Sequence, residues 1–257
     1  MKLKLAAAGL ASFLLLAITP QANAEDSDVF AQNHARVMSE IDTIDAPVLK
    51  AYIEEIITKL NEGRADADMP LVTIVADDSV NAFTIGRGYI YVHLGLLAVL
   101  ETEAELAMVI GHELAHGDRN HTSNASLQNT FSTLVALRAA RRAKGPISSI
   151  VAARLGQKGG SALFSRIQER GADVFGLQYL AAGGYNSEAG IKAMERLKSP
   201  ITPGLWTRSH PLSEERLIVL AKLSKQYPGG DFVGREPYLQ KVHANPYVAA
   251  IRQANAK

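Results

Sequence analysis

Two histidines four residues apart, with a glutamate beside the first, form the stretch His112-Glu113-Leu114-Ala115-His116. In a helix, a spacing of four puts both imidazoles on one face, a turn apart, where they can share one metal ion. Glu113 then lies about 100° round the helix, near enough to reach a water on that ion. This is the pattern of a zinc hydrolase whose glutamate acts as general base. The pentapeptide alone also fits a surface helix with two half-exposed histidines. Val109, Ile110, Leu114 and Ala115 around it argue for a buried helix instead, and buried His and Glu need partners.

A catalytic zinc commonly takes three protein ligands, so a third is expected from a second element. The best candidate is Glu169. Asp173 follows it by four, so both carboxylates project from one helix face. One can bind the metal while the other accepts the free N–H of a ligand histidine. The competing reading is a solvated acidic face paired with Arg166 and Arg170. Ala172, Val174, Phe175 and Leu177 around the pair favour burial. The chain has no cysteine, which excludes thiolate ligands, disulfides and a lipoprotein attachment site. Any zinc site must be built from histidine and carboxylate.

Three motifs in this order (His112 to His116, then Glu169 to Gly176 with Glu-x-x-x-Asp-x-x-Gly spacing, then Ser209-His210-Pro211 with Arg216) resemble the M48 family of zinc metallopeptidases, in particular its soluble periplasmic branch. Asn81-Ala82-Phe83, the stretch from Gly88 to Val92, Gly95-Leu96-Leu97 and Phe164-Ser165-Arg166 fit the same order, and the likeness covers roughly residues 48–220. The resemblance implies a zincin-like (gluzincin) α+β fold and one Zn2+ per chain. It implies that His112, His116 and Glu169 are the metal ligands, that Glu113 is the base, and that Asp173 supports a ligand histidine, His112 by preference. Phe164 stands where the family often has tyrosine, so no hydroxyl acts from that position.

The elements that must position these groups are legible in outline. Residues 25–46 carry a helical pattern, and Pro47 opens a second helix, at the favoured first position, that ends at Asn61-Glu62-Gly63. Leu71–Val75 is rich in β-branched residues; 81–85 and 89–92 are two more such runs, separated by the turn-prone Gly86-Arg87-Gly88. Three short strands predict a small antiparallel or mixed sheet, and everything after Leu94 reads as helix. Thr102 with Glu105 three residues on predicts a capping box at the start of the motif helix. Ser213-Glu214-Glu215 starts a later one. The expected organisation is a signal peptide over 1–24, a metallopeptidase domain over 25–228 and a short C-terminal tail over 229–257, with no repeat array.

Lys2 and Lys4, an apolar run from Leu5 to Ile18 too short to span a bilayer, Pro20 and the small-residue site Ala22-Asn23-Ala24 predict export with cleavage after Ala24. Removing those residues takes away two lysines and no acidic residue, so the formal charge moves from +1 to −1. A near-neutral chain argues against nucleic acid as a partner. Export without disulfides suits a bacterial periplasm. Between the two metal motifs lie apolar helical segments at 127–137 and 147–155, with Arg138, Arg141, Arg142 and Lys144 between them. Each is too short to span a membrane. They are read as a helical hairpin over the site, with a peripheral contact to anionic lipid as the sharper alternative.

The expected substrate binds as an extended strand along an edge of the small sheet, at Asn81, Ala82 and Phe83 or at Tyr89 and Tyr91. Such binding reads backbone and so suits unfolded or misassembled polypeptides, outer-membrane proteins among them. His210 is expected either to donate to the developing oxyanion or to occupy the open metal position in a resting state. Arg216 would fix its loop or pair with a buried acid. The competing function is a holdase or assembly factor on the same scaffold that rarely cuts.

Overall fold

The computed structural model describes residues 24–65, 68–122, 127–135, 164–198 and 206–256. The signal-peptide stretch, the basic cluster at 138–144 and the apolar segment at 147–155 lie outside the described residues. The order is α1 (Ala24–Glu40), α2 (Pro47–Leu60), β1 (Leu71–Val75), β2 (Ala82–Thr84), β3 (Tyr89–His93), α3 (Leu94–Val99), α4 (Glu103–Asp118), α5 (127–135), α6 (Arg166–Ala182), α7 (Ser187–Lys198), α8 (Trp206–Ser209), α9 (Glu214–Gln226), α10 (Arg235–Tyr238) and α11 (Pro246–Asn255). Among the described residues no helix is long and apolar enough to cross a membrane.

The sheet is mixed, in the order β1-β3-β2: β1 runs parallel to β3 with Leu71 opposite Tyr89, and β2 antiparallel with Phe83 opposite Tyr91. Strand alternation splits its side chains between two cores. Val72, Ile74, Ala82, Ile90 and Val92 join the main core with α2, α4 and α6. Phe83 and Tyr91 face the other way, into a smaller cluster with Val37 of α1 and Leu127, Phe131 and Leu134 of α5. This topology corrects one expectation. Tyr89 and Tyr91 lie on the central strand, whose backbone groups are used on both sides, so they cannot offer a peptide a free edge. Ala82 and Phe83 remain on an edge strand, with Asn81 just before it, and all three are buried.

α4 is buried along nearly its whole length, Glu103 to Gly117. Its start differs from the expected capping box. Thr102 Oγ1 does accept from the Glu105 N–H (3.1 Å), but the Glu105 carboxylate reaches past Thr102 to the N–H of Glu101 (2.6 Å). Glu103 is drawn into the core, where Tyr52, Lys59 and Tyr185 all donate to its carboxylate at 2.6–2.7 Å. These bonds tie the start of α4 to α2 and to the loop after α6. A capping box with both bonds made opens α6, between Ser165 and Gln168. The C-terminal segment packs on α3: the buried Tyr238 donates to the Leu97 carbonyl (2.9 Å) and His243 bonds the Leu100 carbonyl (2.8 Å).

The crossing of α4 and α6 sets the site. The two helices meet backbone to backbone at Gly111 and Gly176. A Cβ on Gly176 would lie 2.8 Å from the His112 nitrogen and 3.0 Å from the Gly111 carbonyl carbon. Backbone atoms cannot swing aside as a side-chain tip can. Gly176→Ala is therefore expected to push the helices apart, costing about 1–3 kcal/mol by overpacking and weakening metal binding. Thermal denaturation with and without added zinc checks this. An unchanged melting temperature and unchanged zinc response would refute it.

Candidate metal centre

His112 and His116 rise from α4, Glu169 from the first turn of α6, and His210 from the turn that ends α8. One donor atom from each of the four lies within 4.8 Å of all the others, and all four residues are buried. His112 Nε2 is 3.1 Å from His116 Nε2 and 3.2 Å from His210 Nδ1. His210 Nδ1 is 2.9 Å from Glu169 Oε1, which is itself 3.4 Å from His116 Nε2. Three imidazole nitrogens meeting around one carboxylate, away from water, bring lone pairs together. A proton bridges only two of them at a time, whereas one metal cation can bind all four donors together. Nitrogen and oxygen donors without thiolate fit zinc, and similar ions fit the same donors.

A shell of acids and arginine holds these donors. Asp173 Oδ1 is 3.2 Å from His112 Nδ1, at ion-pair distance though off the line of a good hydrogen bond. Arg216 grips both Asp173 oxygens, from Nε (2.7 Å) and Nη2 (2.8 Å). Its Nη1 donates to the Pro211 carbonyl (2.8 Å) and lies 2.7 Å from Glu169 Oε2. Arg216 thus pairs with two buried acids and bonds the loop that carries His210. Phe164 stacks on His116 at 3.8 Å between ring centres. The ring covers a donor with apolar surface and offers no hydrogen bond.

Charge follows the same geometry. Burial opposes a proton on His112, but the adjoining Asp173 and Glu169 outweigh it and push His112 up to about 9. Burial holds His116 well below the usual imidazole range, with only Glu169 pulling the other way among its larger influences. Burial works against ionised Glu169 too, yet His210, His112 and His116 hold it below the usual carboxylate range. A metal held through His112 would therefore compete with a proton for that nitrogen. For Glu113, burial dominates and raises its proton affinity against the opposing charges of His210 and His112.

Two further contacts reach the site residues. His121 Nδ1 lies 3.0 Å from His116 Nδ1, the ring nitrogen that points away from the cluster. The chain gets there through Asn120, which adopts the left-handed backbone (φ 52) that asparagine tolerates, while the His121 N–H returns to the His116 carbonyl (3.0 Å). Asparagine at the end of a periodic helix was the available signal. The second is Trp206, whose Nε1 donates to Glu113 Oε1 at 3.1 Å. Nothing in its local sequence points there. Of the remaining histidines, His93 bonds Ser79 and His34 bonds Tyr91, both away from the site.

Comparison with known proteins agrees with this geometry. The family model "Peptidase family M48" matches residues 44–224. A putative beta-barrel assembly-enhancing protease of Vibrio cholerae is 29% identical over 198 residues, covering 72% of this chain and 41% of that protein. The mitochondrial metalloendopeptidase OMA1 of Arabidopsis thaliana is 29% identical over 153 residues, covering 59% of this chain and 31% of that protein. Metalloprotease LoiP of Escherichia coli K12 is 32% identical over 143 residues, covering 53% and 56%. The chain thus spans about two fifths of the length of the beta-barrel assembly-enhancing protease it matches.

Proposed function

Because the chain belongs to peptidase family M48, we propose that it is a zinc-dependent endopeptidase that cuts unfolded or misassembled proteins of the bacterial envelope. The observation that carries the reading is the buried convergence of His112, His116, Glu169 and His210 beside Glu113. His112, His116 and Glu169 would hold the metal. When bound, the metal supplies Lewis-acid chemistry, acidifying a water and polarising the scissile carbonyl. Glu113 takes the proton from the attacking water and delivers it to the departing amine. Asp173 orients the His112 ring, and Arg216 keeps Asp173 and Glu169 ionised and in place. Envelope substrates are suggested by the names of the beta-barrel assembly-enhancing protease relatives and by the export pattern of residues 1–24. The edge strand beside Asn81 is the place for an extended peptide.

The test is cleavage of casein and of an unfolded outer-membrane protein. Zinc-loaded protein is expected to cut both, chelation to stop the reaction and added zinc to restore it. A zinc-loaded preparation that cuts neither, or cuts equally after chelation, refutes the reading.

One observation favours a resting form of this enzyme. Catalytic zinc sites keep one position open, whereas four protein donors close the shell. His210 Nδ1 sits within 2.9 Å of Glu169 and 3.2 Å of His112, so with zinc bound His210 would take the position a substrate needs. His210→Ala is then expected to raise casein cleavage several-fold. A fall in kcat instead would make His210 a donor to the transition state.

A further inference from the structure

Trp206 is the only tryptophan of the chain and is wholly buried. Its backbone is anchored at both ends: its N–H donates to the Val80 carbonyl (3.1 Å), and its own carbonyl accepts from the His210 N–H (2.8 Å). The indole stacks on the His210 ring, 4.8 Å between centres and 20° from parallel. Its N–H donates to Glu113 Oε1 at 3.1 Å, and His210 Nε2 approaches the same oxygen at 3.4 Å. The other oxygen, Oε2, is buried with no hydrogen-bond partner among the described residues. The two oxygens of the base therefore stand in different surroundings.

We infer that Trp206 is a positioning residue for peptide hydrolysis: its indole N–H holds Glu113 Oε1, fixes the carboxylate plane and leaves Oε2 as the oxygen that receives the proton from the attacking water. The inference rests on the peptidase reading above. The choice of residue fits the task. A carboxylate turning freely about its last bond presents either oxygen in any plane, and orientation errors at a reacting group cost rate. An arginine or lysine would also fix it, but a full positive charge there suppresses the basicity that the step requires. Indole has one donor and no acceptor, so it orients the base and cannot take its proton. The anchor on Val80 is at the Trp206 end of the turn, four residues from His210, so withdrawal of the His210 ring does not oblige the indole to leave.

Because the chain has one tryptophan, the zinc-loaded protein shows one indole N–H cross-peak in a proton–nitrogen correlation spectrum. The expected result is a downfield, slowly exchanging peak that moves upfield in Glu113→Gln, where a neutral amide replaces the carboxylate. An indole peak unmoved by that substitution overturns the inference without touching the peptidase reading. In kinetics, Trp206→Phe keeps an aromatic ring on His210 and removes only the N–H. It is expected to lower kcat for casein roughly 10- to 100-fold, with KM and zinc content unchanged. Unchanged kcat, or a loss that tracks zinc content, overturns the inference. A wild type that cuts nothing fails the peptidase reading instead, and takes this inference with it.

Discussion

Glu113→Gln is expected to lower kcat about 10²–10⁴-fold, the usual contribution of a positioned general base, while zinc content stays at the wild-type level. Glutamine has the shape of glutamate, and its amide oxygen can still accept from Trp206, so the packing around this wholly buried position is preserved. What is lost is the basic oxygen. The metal should remain because Glu113 is not among the four converging donors. Elemental analysis beside a casein assay separates the two effects. Cleavage at the wild-type rate by a zinc-loaded variant would remove Glu113 from the mechanism, and loss of zinc would make it a structural support of the centre.

Arg216→Met should have the largest effect on the fold. The guanidinium is 4% exposed and faces two acids, Asp173 and Glu169, which are 2% exposed. Methionine roughly fills the space but leaves both carboxylates buried without their cation. Breaking a buried pair from one side costs about 3–5 kcal/mol, which for a domain of this size is a fall in melting temperature on the order of 10 °C. Zinc affinity should fall roughly 10- to 100-fold as the support of His112 is lost. The effect has a pH signature. Burial pushes Asp173 up, but the bonds from Arg216 and the adjoining His112 outweigh it and hold it below its ordinary value of 3.8. In the wild type this stabilisation is therefore complete above that value and is lost as the pH falls through the lowered one. Without Arg216, burial gains weight and Asp173 is pushed up, so ionising it costs stability as the pH rises. The gap between wild type and variant should be wide near neutral pH and narrow in acid. Urea denaturation at both pH values measures it, and a gap independent of pH would show that the loss is packing alone.

How far the sequence reaches is clearest around α4. Helical periodicity puts His112 and His116 on one face, Thr102 caps the helix, and the apolar flanks say that it is buried. All of these are local rules, and the structure keeps them, with the Glu105 carboxylate bonding Glu101 in place of Thr102. The three strands were legible because β-branched runs and a glycine turn bound them. Their order was not, because strand pairing depends on contacts the runs do not encode, and Tyr89 and Tyr91 consequently fell on the central strand. His210 was visible as a residue of interest, yet whether it donates or blocks could not be read from its loop.

By itself, then, the sequence determined the chemistry on offer: two imidazoles a turn apart, a glutamate beside them, a second helix with two acids, and no thiol. Their spacing is a property of the helix, and a helix is specified residue by residue. The tertiary structure decided what converges. It closed the donor set with His210, ninety-eight residues from His112, through the anchoring of its loop by Arg216. It gave Glu113 a tryptophan and His116 a second imidazole. It brought α4 and α6 to backbone contact at Gly111 and Gly176, where a Cβ on Gly176 would meet the His112 nitrogen at 2.8 Å. Distances of that kind are fixed by how whole elements pack, and no local pattern of residue types records them.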